Sequence, residues 1–450
     1  MSRPTEVAST RKASILTIAL ISLSGSTIEW YDFFIYGTAA ALVFPKLFFP
    51  EADPLTGVLL SFSTFAVGFL ARPVGGIIFG AVGDRIGRKR TLAIALIIMG
   101  AGTTLVGLMP TYATLGAAAP IILTVLRFIQ GLAVGGQWGG AVLIATENSP
   151  RNRRGFYGSF AQLGVPVAVI LSNVLFLILE STLSTSQFAS WGWRIPFLLS
   201  VILIAVGLYV QVRLEETAAF AEVQRTNTTV RAPLLDVIAT YPKQILLAAG
   251  AFVCINGTFY ILITYIISYG KLIGVSSNTM LYGVLISAVF GFFAILGFAA
   301  LSDRWGRRGL YIAGAALLGL WGFPLFWLVN TKSTILIWLA LLVGQIFLSM
   351  MYGPQAAFYS ELFGTRVRYS GASLGYQIGA VFGGGLATII AAALYEATKT
   401  SLSISVYIAV LAAISLISVL FLTETYQRDV TEMQVEERRI LQQERGEVTG

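Results

Sequence analysis

Twelve runs of roughly 20 apolar residues divide this chain, and they leave few folds open to it. They fall at about 16–43, 56–83, 91–109, 118–145, 155–179, 191–212, 243–270, 280–302, 309–329, 334–358, 370–395 and 404–423. A bilayer offers backbone groups no water to bond, so segments of this length cross it as helices that satisfy their own N–H and C=O groups. The expectation is an all-α membrane protein of 12 transmembrane helices. Charged residues make up only 12% of the 450, about half the share of an average soluble domain. The first run has a polar centre and no small-residue cleavage site after it, which makes it a retained helix rather than a signal peptide.

Charge placement sets the expected orientation. Of 30 Lys and Arg residues, Lys46, Lys271, Lys332 and Lys399 fall in one set of loops, Arg72, Arg127 and Arg194 fall within spans, and the other 23 lie in the alternate loops and the two termini. Basic residues accumulate on the cytoplasmic side, so both termini are expected there, in the cell (inner) membrane. The same distribution turns the net charge of +8 away from nucleic acid. Cys254 is the single cysteine and there is no histidine. No metal site, cofactor fingerprint or nucleotide-binding loop is expected, and no enzyme's convergent nucleophile is visible.

The chain repeats itself. "GAVGDRIGRKR" follows the second span and "FAALSDRWGRRG" the eighth, with Asp84 and Asp303 offset by 219 residues. After spans four and ten come "TENSPRNRRGFYG" and "SELFGTRVRYSG", with Glu147 and Glu361 offset by 214. Two landmarks at nearly one offset indicate a duplicated six-helix unit. The expected organisation is an N-terminal bundle over 1–212, a cytoplasmic connector over 213–242, a C-terminal bundle over 243–423 and a charged tail over 424–450. Parallel halves of this kind place a binding site at their interface near the midplane. Gly87 and Gly306 permit tight turns in the two D-R-x-G-R loops. Asp84, Arg85, Arg88 and Glu147, with Asp303, Arg304, Arg307 and Glu361, have the charges for a cytoplasmic gate of arginine–carboxylate bonds; the plainer reading is an ordinary pair of basic loops.

These loops carry a family resemblance. Gly80, Asp84, Arg85, Gly87, Arg88 and Lys89 meet the G-x-x-x-D-R-x-G-R-[RK] signature of the major facilitator superfamily of secondary transporters. The second copy departs from it, with Ala299 in the place of Gly80. Arg127, Gln130, Gly131 and Gly135 match the superfamily's R-x-x-Q-G-x-x-x-G pattern. Within it, "EWYDFFIYG" (29–37), "GFLARPVGGIIFGAVGDRIGRK" (68–89), "RFIQGLAVGGQWGGA" (127–141) and "SWGWRIPF" (190–197) resemble the metabolite:proton symporters, among them shikimate, 2-oxoglutarate, citrate and proline/betaine carriers. The resemblance implies proton-driven uptake by a bacterial cell-membrane protein, expected as a monomer. Antiporters of the superfamily carry G-P-x-x-G-G in span five; "QLGVPVAVIL" here does not contain it.

Four charges interrupt the apolar runs of the first half. Glu29 stands 17 residues from both Lys12 and Lys46, with Asp32 one turn on; Tyr36 continues that face. Arg72 lies near the middle of span two and Arg127 in span four. A charge at mid-bilayer costs at least ~2.5 kcal/mol and marks a functional site by default. Three readings are open: permanent ion pairs locking spans one, two and four; an acid that carries a proton; and an arginine that binds a substrate carboxylate. Burial favours a neutral carboxylic acid and a nearby guanidinium favours the carboxylate. An acid whose arginine is taken by substrate would therefore bind and release a proton. Without histidine, that acid is Asp32 or Glu29, with Asp32 favoured for its depth beside Arg127. Guanidinium matches a carboxylate bidentately, which marks Arg127 and Arg72 for the substrate.

Tyr36, Gln130, Gln137, Asn256, Tyr260, Gln355 and Tyr376 are further substrate-lining candidates, though polar groups in apolar spans also serve simply to bond neighbouring helices. The partners expected are the lipid bilayer, a proton and a small organic acid of the shikimate type, or alternatively a zwitterionic osmolyte such as proline or betaine. The tail "TETYQRDVTEMQVEERRILQQERGEVTG" lacks the sustained heptads of a coiled coil.

Overall fold

A computed structural model of the chain describes residues 15–86, 88–135, 142, 145–146, 149–213, 238, 241–363 and 368–426. Among them are twelve long helices: α1 (Ile15–Leu42), α2 (Pro54–Ile86), α3 (Arg88–Leu108), α4 (Ala118–Val134), α5 (Arg154–Thr182), α6 (Ile195–Arg213), α7 (Pro242–Leu272), α8 (Ser277–Trp305), α9 (Arg308–Asn330), α10 (Thr334–Leu362), α11 (368–398) and α12 (Leu402–Phe421). No strand occurs among the described residues. Each helix coincides with one apolar run, and the hydrophobic side chains left most exposed, such as Leu320 and Trp327, form a belt suited to lipid.

Local chemistry fixes where helices begin and turn. Asp53 caps α2, its Oδ1 accepting from the N–H groups of Leu55 (3.1 Å) and Thr56 (3.2 Å), with Pro54 at the first helical position, where a missing donor does no harm. Ser276 caps α8 through Thr279 N–H at 3.2 Å. Between α8 and α9 the chain reverses at Gly306, whose φ of 91° is a conformation that disfavours a side chain.

Packing follows a rule with a six-helix period. In the first bundle α1 lies on α5, α2 on α4 and α3 on α6; in the second α7 lies on α11, α8 on α10 and α9 on α12. The bundles meet along α5 against α8 and α10, and along α2 against α11. The α2–α4 seam is built from glycine: a Cβ on Gly75 or Gly131 would overlap the carbonyl of Leu132 or Gly68. Close approach of this kind replaces the hydrophobic effect, which lipid removes as a driving force between helices. It also brings Arg72 of α2 and Arg127 of α4 into one region.

Two helices depart from regularity opposite that region. A π-helical turn interrupts α7 at Ile261–Tyr265 and another interrupts α11 at Val381–Gly385. Single π turns within α-helices gather at functional sites.

Candidate functional site

Glu29, Asp32, Arg72 and Arg127 all lie inside the protein, with relative exposures of 7%, 3%, 1% and 0%. Glu29 and Arg72 are electrostatic neighbours, as are Asp32 and Arg127. Among the described residues, however, neither arginine has a carboxylate within 4.0 Å, and the ion pairs belong to Arg307. Locked salt bridges therefore do not explain the four charges. The Nε and one terminal nitrogen of each arginine have no hydrogen-bond partner, and neither has Asp32 Oδ2. A buried polar group is ordinarily bonded, and a buried charge without a partner is especially costly.

Aromatic rings seat the two cations instead. Arg72 Cζ lies 4.0, 4.4 and 5.1 Å from the ring centres of Phe33, Phe69 and Trp30. Arg127 Cζ lies 4.0, 4.3 and 5.2 Å from those of Phe33, Tyr36 and Phe65. Such contacts are worth on the order of 2 kcal/mol when desolvated. Arg127 also reaches Gln130 Oε1 at 3.5 Å, and Gln130 Nε2 donates to Thr103 at 2.7 Å. Thr103 is within bonding reach of Asp32. Tyr36 OH shares a 2.7 Å hydrogen bond with Thr64.

The second bundle faces this cluster with uncharged groups. Tyr260 stacks edge-on against Phe65 and Phe69 of α2, and its buried hydroxyl is within reach of Arg72 without a hydrogen bond of good geometry. It ends the regular part of α7 where the π turn begins. Asn256 Nδ2 is likewise buried and unbonded. Asn256, Trp30, Phe259, Tyr352 and Tyr376 line a cavity of about 20 Å³, room for one water. Gln355 accepts from Gln162 Nε2 at 3.2 Å across the α5–α10 interface. Gln162 was not anticipated from sequence, although it gives the same signal as Gln130, an amide in an apolar span. Trp30, Phe33 and Thr103 carry no sequence signal that separates them from ordinary core residues.

Contacts between the two bundles bracket the site. At the arginine-rich end, Asp303 of α8 accepts from the N–H groups of Gly155 and Phe156 at 2.8 Å each, an anion on the N-terminal turn of α5. Arg307 donates to Asp303 at 2.7 Å and to Glu361 at 3.4 Å. The segment after α12 joins this cluster: Thr425 donates to Glu361 (2.8 Å), Tyr426 donates to the Asp303 carbonyl (2.7 Å), and Glu424 accepts from Arg307 N and Arg308 N (3.0 and 2.9 Å). Arg304 is exposed on the same turn. The side chains of Asp84, Arg85 and Arg88, together with Gln137 and Glu147, lie outside the described residues. At the opposite end Lys271 Nζ donates to the carbonyl of Leu42 at 2.9 Å, near the C-terminus of α1.

Comparison with known proteins accords with this architecture. The family model of the Major Facilitator Superfamily matches residues 33–374. The chain is 40% identical over 416 residues to an inner membrane metabolite transport protein of Escherichia coli (strain K12), covering 91% of this chain and 94% of that one. It is 40% identical over 380 residues to the shikimate transporter of the same organism, with 84% and 87% covered. It is 34% identical over 420 residues to that organism's proline/betaine transporter, with 90% and 82% covered. A crystal structure of a D-xylose-proton symporter superposes with a TM-score of 0.71 at 19% identity, covering 91% of this chain and 97% of that one, a likeness of fold alone.

Proposed function

The chain belongs to the Major Facilitator Superfamily, and from that premise we propose that this multi-pass membrane transporter takes up a small organic acid of the shikimate type together with a proton, across the inner membrane of a bacterium. The observation that carries the reading is the pair of fully buried arginines with unbonded nitrogens and, among the described residues, no carboxylate within 4.0 Å. A guanidinium binds a carboxylate in a bidentate fork, and an anion entering here meets cations already desolvated.

The sequence of events follows from charge balance. With Glu29 and Asp32 ionised the cluster is neutral. A proton arriving on Asp32 from outside removes one negative charge and leaves Arg127 and Arg72 in excess. The substrate carboxylate restores neutrality, engaging Arg72 beside Tyr260 and the cavity wall, while its uncharged body lies against Trp30, Asn256, Tyr352 and Tyr376. Gln130, Tyr36 and Thr103 orient Arg127 and Asp32; Gln162 and Gln355 line the seam between bundles. The Lys271 contact opens in the outward-facing form and the Asp303–α5 contact in the inward-facing form, so access alternates. Carboxylate departure inside leaves the arginines facing only the acids, which favours the ionised form of Asp32, and the proton leaves.

A second reading has its own support. The cavity wall carries four aromatic rings, from Trp30, Phe259, Tyr352 and Tyr376, and such a cage also suits a quaternary ammonium. A zwitterion such as betaine would place its carboxylate on Arg72 and its ammonium against these rings once the bundles move apart, since the closed cavity has room for one water. Uptake of radiolabelled shikimate into proteoliposomes under an inward proton gradient separates the two. Inhibition by cyclic hydroxy acids but not by betaine supports the acid, and the reverse pattern supports the zwitterion.

A further inference from the structure

Among the described residues, Phe33 of α1 is the one ring that touches both cations. Its centre is 4.0 Å from the Cζ of Arg72 and 4.0 Å from the Cζ of Arg127. Every other wall of the two seats is private: Trp30 and Phe69 belong to Arg72, and Tyr36 and Phe65 to Arg127. Phe33 is 1% exposed and is itself held edge-on by Phe69 at 5.5 Å. Gly68 completes the arrangement, since a Cβ there would stand 2.8 Å from Arg127 Nε.

Two like charges at this depth repel, and two acids lie within one helical turn of each other. Nothing in chain connectivity prevents Asp32 from turning to Arg72 or Glu29 to Arg127. The shared ring is placed to do so: it stands 4.0 Å from the Cζ of each cation, and an aromatic face attracts a guanidinium. We infer that Phe33 is a positioning residue, an aromatic partition that keeps Arg72 beside Glu29 and Arg127 beside Asp32, the latter pair lined by Gln130 and Thr103, while Tyr260 of the second bundle neighbours both arginines. The role it serves, exchange of a proton for a carboxylate without short-circuit, rests on the function proposed above. The partition itself is a property of the unliganded protein.

The titratable and charged groups facing this region are Glu29, Asp32 and Tyr36 of α1, Arg72 of α2 and Arg127 of α4, and on the opposite bundle the phenols Tyr260, Tyr352 and Tyr376, which neighbour Glu29. No charged side chain joins them from α7, α10 or α11 at this depth, so the ring acts on a closed set.

The test replaces Phe33 with phenylalanines bearing one, two and three ring fluorines, which weaken the ring's attraction for cations with little change of shape. Phe33→Leu and Phe33→Tyr serve as non-aromatic and aromatic comparisons. Two quantities are read: the ratio of gradient-driven shikimate uptake to equilibrium exchange in proteoliposomes, and the melting midpoint of the purified, substrate-free protein from pH 5 to 8. A partition predicts that the ratio falls stepwise with fluorination, by about threefold or more at three fluorines. The pH profile of melting should change in the same order, with Phe33→Tyr following the wild type and Phe33→Leu the trifluoro form. Fluorinated proteins that superimpose on the wild type in both measurements overturn the inference. If the wild type moves no acid yet the melting profiles still separate, the proposed function fails and the partition stands.

Discussion

Gly68 faces Arg127 so closely that even a methyl group would meet its Nε at 2.8 Å. Gly68→Ala should therefore push the guanidinium from its seat while leaving the helix intact. Overpacking of this kind costs about 1–3 kcal/mol, and we expect gradient-driven uptake to fall roughly tenfold or more, the equivalent of ~1.4 kcal/mol, with protein yield nearly unchanged. Wild-type uptake by Gly68→Ala would contradict the seat. Arg72→Lys keeps the charge but loses the planar fork and the ring stacking; the expected result is a KM raised by an order of magnitude or more with exchange still measurable at high substrate, read by counterflow. At this scale the sequence was informative about charge and silent about contact. Four ionisable residues in apolar spans were visible as a cluster because their depth could be counted from the nearest lysines and prolines. That the acids and arginines do not form salt bridges, and that Phe33 stands between the cations, depends on helix rotation and side-chain rotamer, which periodicity does not set.

One element that joins the bundles is α5, which packs against α8 and α10. Its N-terminal turn is capped by Asp303 of α8, and Gly155 permits the approach, since a Cβ there would meet Ala299 O at 2.6 Å. Asp303→Asn removes the anion that opposes the helix dipole, a contribution of about 0.5–2 kcal/mol. The expected outcome is a population shifted toward the form open at the Asp303 end, detected as increased distance between spin labels at that end of α5 and α8. An unchanged distance distribution would show that the cap does not hold the gate. The tail's first residues act on the same turn. Burial would raise the Glu424 carboxyl, but hydrogen bonds from the backbone N–H groups of Tyr426, Arg307, Arg308 and Thr425 outweigh it and hold the group below the usual range. A carboxylate depressed in the folded state stabilises above its unfolded value of about 4.3 and loses that effect as pH falls through the folded value. The melting midpoints of wild type and Glu424→Gln should therefore differ most near neutrality and converge on acidification. A difference that persists unchanged at low pH would contradict this. The repeated charged loops marked Asp303, Arg307 and Glu361 in sequence, and these three do form one cluster. The tail's part in it was not legible, because "TETY" has no periodicity and its role arises from backbone donors 116–117 residues away.

For the molecule as a whole, the twelve helices and their six-helix period were readable because lipid forces each crossing to be a long apolar helix, and because duplication left charged landmarks at matching offsets. The π turns in α7 and α11 were not, since the insertion of one residue into a helical turn leaves no mark on composition. The balanced charge of the site has a consequence at this scale. One proton with one monocarboxylate carries no net charge, whereas a proton with a zwitterion carries one. An imposed inside-negative potential should leave acid uptake unchanged at fixed proton gradient, and potential-driven acceleration would instead favour the zwitterion. The central claim, that a proton on Asp32 is exchanged against the arginines' hold on a carboxylate, is tested most directly by Asp32→Asn in proteoliposomes, with shikimate uptake under a proton gradient measured beside counterflow without one. The account predicts that the variant exchanges substrate but does not accumulate it, and that its exchange is less sensitive to pH than the wild type's. Accumulation by Asp32→Asn at the wild-type level would contradict it.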